Sequence, residues 1–111
     1  MNRMQKEAIR QLNDELRRDF TRGAAFMTPG VAALGAEVAE RIFRTVAAFE
    51  DFDESRNDIW GERDFGSFEI EGKMIFFKID YYSKDLTMAS PDPSDPSVTA
   101  RVLTLMLAEE Y

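Results

Sequence analysis

The stretch Phe65–Tyr82, "FGSFEIEGKMIFFKIDYY", decides the fold. Its side chains alternate with a period of two, the spacing of a half-buried strand and not of a helix. Glu71-Gly72 interrupts the alternation with the two-residue, glycine-containing connection typical of a tight hairpin. On the second strand Ile75, Phe77, Ile79 and Tyr81 share one face, predicted to be the inner one. Met74, Phe76, Lys78, Asp80 and Tyr82 share the other, which begins apolar and ends polar, so it is predicted to be only partly covered.

Upstream the period changes to 3.6 residues. Ile9, Leu12, Leu16 and Phe20 recur at helical spacing within residues 3–20, with Arg10, Asp14, Arg17 and Arg18 read as the opposite, solvated face. Gly23 ends that helix, and "AAFMT" at 24–28 is read as a short strand. Thr28-Pro29-Gly30 offers a helix entry, and Val38, Ile42, Val46 and Phe49 form a stripe that predicts a second helix over 35–50. Downstream, "LTMAS" at 86–90 is a candidate edge strand. The segment "SPDPSDP" at 90–96 is a rigid loop whose Asp95-Pro96 looks like a helix start. A third helix is therefore predicted over Pro96–Glu109, with the apolar "VLTLML" at 102–107 deep in the core. The sum is a single α+β domain over residues 1–111: a small antiparallel sheet, the 65–82 hairpin plus one or two short strands, packed against three helices. Phe77, Ile79, Val102 and Leu105 are its expected buried residues.

The chain of 111 residues contains no Cys and no His. Disulfides, thiolate metal sites and every His-dependent nucleophile system are thereby excluded within it. The N-terminus lacks the apolar segment of a signal peptide, and no apolar run approaches membrane-spanning length, so a soluble cytoplasmic protein is expected. The net charge of −7 is uneven, about +2 over residues 1–49 and −9 over residues 50–111. Such a surface repels nucleic-acid backbones and suits a basic protein partner; solubility alone is the plainer explanation.

Three clusters could carry function. "DFDESRNDIWGE", residues 51–62, places Asp51, Asp53, Ser55, Asn57 and Glu62 at the ligand positions of an EF-hand calcium loop. Yet Arg56 occupies the turn position that needs Gly, Asp58 stands where an apolar residue is usual, and a strand pattern comes next instead of a helix. No metal or cofactor is therefore expected, and the plainer reading is a solvated acidic loop. In "NDIWGERDFG", residues 57–66, Trp60 is read first as a lid folded onto the core and otherwise as a binding anchor. In "KIDYYSKD", residues 78–85, Lys78, Asp80 and Tyr82 could do acid–base chemistry, but an ion pair beside a hydroxyl is the simpler account.

The motifs "NDIWGERDFG", "KIDYY" and "SPDPSDPSVTARVLTLMLAEEY" together resemble a family of small bacterial proteins catalogued as domain of unknown function 3768. The resemblance runs from about Ile9 onward. Its pattern centres on Asn57, Asp58, Gly61, Glu62, Asp64, Phe65 and Gly66, on Lys78 to Tyr82, and on the Pro-rich loop together with the predicted final helix. Asp51 and Asp53 lie outside it, and Arg63 stands where the family usually has His, so no His-based activity transfers. The resemblance implies no known activity; it implies a setting of plasmids and mobile elements, where anti-restriction and anti-CRISPR proteins are found.

The leading expectation is a non-enzymatic acidic module that binds a basic protein surface, an inhibitor of a nucleic-acid-targeting defence complex by mimicry of nucleic acid. Asp51, Asp53, Glu54, Asp58, Glu62 and Asp64 would supply the charge and Trp60 the apolar anchor. The alternatives are a plasmid-maintenance or housekeeping homodimer, and a carboxylate-based enzyme or metal protein using Glu62, Asp64 and Asp80.

Overall fold

A computed structural model describes residues 2–111. The 65–82 hairpin is present as read. Strand β2 (Phe65–Ile70) and strand β3 (Lys73–Tyr82) pair antiparallel in a register that sets Gly66 opposite Phe77 and Ile70 opposite Lys73. Glu71 and Gly72 both take positive φ, 52° and 74°, as a hairpin turn matched to strand twist requires. Gly66 answers a different need. A Cβ there would lie 2.3 Å from the Phe77 ring, so the absent side chain is what lets that ring settle against β2.

Ahead of the hairpin come helix α1 (Arg3–Arg18), strand β1 (Ala24–Met27), a short helix α2 (Pro29–Ala32) and helix α3 (Ala36–Ala48). Asn2 caps α1 and shares a reciprocal pair of hydrogen bonds with Gln5. Thr28 caps α2, with Pro29 in the first turn.

The predicted third helix over Pro96–Glu109 is not a helix. Residues Ala100–Leu107 form strand β4, followed by one 3₁₀ turn. The helix-start signal at Asp95 is real but is spent locally: its carboxylate accepts from the Ser97 backbone (2.9 Å) and hydroxyl (2.7 Å) to close a turn. The run "VLTLML" is apolar on both strand faces, and such a run reads equally well as buried helix or central strand. Two strands then decide the matter. β4 lies between β1, to which it is parallel, and β3, to which it is antiparallel, giving the order β1-β4-β3-β2. The sheet is thus mixed and not antiparallel throughout, and its class remains α+β. "LTMAS" contributes no strand, only a single bridge between Ala89 and Tyr82.

Helices α1 and α3 cover one face of this sheet. Leu16, Ile42, Val46, Phe49, Ile75, Phe77, Ile79, Leu103 and Leu105 meet there in one buried cluster. Phe49 stands edge-on to Phe77 (5.3 Å between centroids) and to Phe52 (4.9 Å). Val102 is the exception among the expected core residues. It pairs with Asp80 on the opposite face and is half-buried, because the strand period separates it from Leu105 where a helical period would join them. No helix among the described residues is long and apolar enough to cross a membrane.

The strand assignment separates two variants. Phe77→Ala should cost about 2–5 kcal/mol in chemical denaturation, whereas Val102→Ala should cost less than about 1.5 kcal/mol. Equal losses would restore the helical reading of residues 102–107.

Candidate functional site

The segment between α3 and β2, residues 51–64, carries the acidic cluster and Trp60. It is irregular but densely bonded. Phe52 anchors its start in the core. Beneath that ring lies Arg17, fully buried and not on a solvated face as expected. Its guanidinium donates to the Val46 and Phe49 carbonyls at the end of α3 (2.7 and 2.9 Å) and to Asp14 (2.7 Å), placing a cation at the negative helix terminus.

The five would-be calcium ligands do not converge. Arg56 holds Asp51 at 3.0 Å and Asp53 at 3.9 Å, so the two leading carboxylates share one guanidinium. The Asp53 carboxylate also accepts from the Ser55 backbone and hydroxyl (2.8 and 2.6 Å), hydrogen bonds that hold its pKa below the usual range. Asn57 turns its amide to the Asp51 carbonyl and the Asp53 N–H. Glu54 pairs with Lys6 of α1 at 2.9 Å, and that contact lowers its pKa.

Two acids of the expected charged run face inward. Asp58 is buried and accepts from the Arg63 N–H at 3.1 Å. Glu62 is buried and accepts from the Tyr81 hydroxyl at 2.9 Å. Only Asp51, Asp53 and Glu54 remain exposed, so the loop presents no run of five carboxylates. Trp60 behaves in the opposite way. It is not a lid: with Ile59 it forms the tip of the loop, 70% and 66% exposed.

A buried polar network holds this tip from below. Asn13 is fully buried on α1. Its amide donates to the Glu62 carbonyl (3.0 Å) and the Tyr81 hydroxyl (2.7 Å), and its oxygen accepts from Arg101 Nε (2.8 Å). Arg101 stacks over the Tyr81 ring at 5.0 Å and donates to the Pro93 carbonyl, so it also holds the Pro-rich loop. Arg10 Nε donates to the Gly61 carbonyl at 3.0 Å, next to Trp60. Burial drives the Tyr81 phenol far above its ordinary value, so it stays a neutral donor to Glu62.

Asp64 differs from the other acids. It is half-buried and forms no ion pair among the described residues. Burial first, then the neighbouring Glu62 charge, raise its pKa to about 6. On the outer sheet face Lys78 and Asp80 form an ion pair at 3.1 Å; Tyr81 lies on the inner face, apart from them. Among the described residues no group of three or more acids is arranged to hold a metal ion.

Asn13, Arg101 and Ile59 were not singled out from sequence, and Arg17 was placed on the solvated face. One signal was available on α1: Asn13 lies four residues beyond Ile9 and Arg17 four beyond Asn13, on the buried face.

The family model described as "Protein of unknown function (DUF3768)" matches residues 27–110. The chain belongs to the DUF3768 family. No curated protein and no solved structure matches it. The matched residues include the loop, β2, β3, β4 and the Pro-rich segment, while α1 with Asn13 and Arg17 precedes them.

Two substitutions test this geometry. Asn13→Ala strands the buried Arg101 and Tyr81 groups and should cost about 2–4 kcal/mol of stability, read by urea denaturation. Asp64→Asn should raise the melting temperature by about a few degrees above pH 6. Because the folded pKa of Asp64 is raised, its favourable contribution is present below its ordinary value of 3.8 and is lost as pH rises through about 6. The gain from Asn should accordingly vanish at the acidic end, and a pH-independent gain would contradict the assignment.

Proposed function

We propose that this chain is a non-enzymatic binding module that docks a protein partner through the Ile59–Trp60 tip, with Asp51, Asp53 and Glu54 as a charged rim. One observation carries the reading: two adjacent large apolar side chains stand in solvent on a loop that hydrogen bonds tie to α1 and to itself. Exposed Trp on a pre-ordered loop is the usual form of an interface anchor, since little entropy is lost on binding. The chemistry around it also favours binding over catalysis. Tyr81 is locked between Asn13 and Glu62, and Lys78 and Arg56 are held in ion pairs with Asp80 and Asp51.

The partner class is a protein with a basic surface, the nucleic-acid channel of a bacterial defence complex being the specific candidate. The −9 charge of residues 50–111 supports a basic partner, and the mobile-element setting implied by the family resemblance supports the defence target. Trp60 is the main anchor in this reading and the three exposed acids steer association. Charge mimicry by a continuous acidic run is not required.

Affinity capture from a bacterial lysate tests the reading with two variants whose folding is first verified by circular dichroism. Trp60→Ser should abolish capture of any specific partner. Asp53→Asn with Glu54→Gln should weaken it only modestly and reduce its sensitivity to salt. Identical partners in unchanged yield from the Trp60 variant would overturn the proposal.

A further inference from the structure

The face of the sheet opposite the helices is covered at one end, where Tyr111 packs on Phe65 and Phe76 beside the buried Met106, and elsewhere it contains a hollow. Its floor is the β1–β4 pair, where Phe26 and Val102 project outward beside the small Ala100. The turn after β3 raises Leu86 and Lys84 along one side, and Arg22 closes another. The hollow is half open to solvent and has a volume of about 350 Å³, at the small end for ligand sites.

Two independent features distinguish this hollow from an ordinary bare patch. The first is strain. Leu86 takes a φ of 63°, a left-handed conformation that costs a bulky residue about 1 kcal/mol or more. Nothing about its burial offsets that cost, because Leu86 is 61% exposed. The turn is nonetheless over-determined. Leu86 N–H donates to the Ser83 carbonyl and Ser83 N–H to the Met88 carbonyl, both at 2.8 Å. Asp85 accepts from the Ser83 hydroxyl and from Thr87. The chain thus spends a closed set of hydrogen bonds on holding an apolar side chain out over the hollow.

The second feature is charge. In a protein of net charge −7, the rim of this hollow is cationic. Lys84 forms no ion pair among the described residues. Asp95, the acid that feels its charge, is committed to Ser97. The contacts of Arg22 with Asp19 and Glu15 are long, 3.6 and 3.8 Å. An apolar floor beneath two weakly neutralised cations matches one ligand chemistry.

We infer that the hollow formed by Phe26, Val102, Leu86, Arg22 and Lys84 binds a small free carboxylate bearing one aromatic or branched apolar group. The apolar group lies against Phe26 and Val102 under Leu86, and the carboxylate meets Lys84 and Arg22. The volume suits such a molecule. The inference stands apart from the partner-binding reading of the loop, since none of Phe26, Val102, Leu86, Arg22 and Lys84 belongs to that loop, although Arg101, at the edge of the hollow, also bonds Asn13 beneath it.

Titration of the labelled full-length chain with phenylpropionate, followed by heteronuclear NMR, tests it. Saturable shifts are expected at the amides of Ala24, Phe26, Leu86, Ala100 and Val102, and not at Trp60. The uncharged phenylpropionamide should bind about ten-fold more weakly, a difference of one charge contact. Lys84→Gln with Arg22→Gln, both exposed and so tolerated by the fold, should remove that preference for the acid. Leu86→Gly, which relieves the strain, should weaken binding while raising stability. Absence of shifts at these residues at millimolar ligand, or equal binding of acid and amide to the unaltered chain, would overturn the inference. Binding of dodecanoate in place of phenylpropionate would also overturn it, by assigning the hollow to lipid.

Discussion

The hydrogen-bonding demand of one buried amide organises this molecule. Asn13 has no access to water, so each of its polar atoms must find a partner inside. It finds them on the loop at Glu62, on β3 at Tyr81 and on β4 at Arg101. Those partners lie 49, 68 and 88 residues along the chain. Arg101 passes the constraint on to Pro93, and Glu62 returns it to Tyr81. A network of this kind is satisfied in one arrangement and costly in others, so it orients α1, the sheet end and the loop together.

Arg17, one helical turn further along α1, does comparable work at the end of α3. Between them, Asn13 and Arg17 explain why the loop over residues 51–64, without regular structure, is held firmly. A loop tied down from below can hold Ile59 and Trp60 in solvent without collapsing them onto the core. The helix that supplies these ties lies outside the stretch matched by the DUF3768 model, although it completes the core of the matched part.

The fold is two-layered, helices on one face of a sheet whose other face is covered only at the end where Tyr111 packs on Phe65 and Phe76. That openness leaves Phe26 and Leu86 at the surface around a hollow and leaves Lys78 and Asp80 to pair with each other in solvent. The protein therefore offers two unlike surfaces: an apolar tip on an acidic loop, and a cation-rimmed hollow on the sheet.

Much of this was determined by the sequence alone. The alternation on either side of Glu71-Gly72 specified the hairpin and its inner face, because a period of two and a turn that accepts positive φ are local properties. The stripes on α1 and α3 and the helix entry at Thr28 were local in the same way. What lay beyond reach depended on distant partners. Residues 102–107 are apolar on every side, so only the neighbours β1 and β3 made them a strand and turned Val102 outward. The acids of the 51–64 loop look alike as letters. Asp58 and Glu62 turned inward because the Arg63 N–H and the Tyr81 hydroxyl were there to receive them, and Arg17 was buried because the end of α3 needed a donor. Trp60, the residue type most expected inside, was left outside because Phe49, Phe52 and Phe77 already filled the core beneath the loop. Tertiary structure decided these positions, since the energy of a buried polar group or a core ring depends on which neighbours the rest of the chain brings to it.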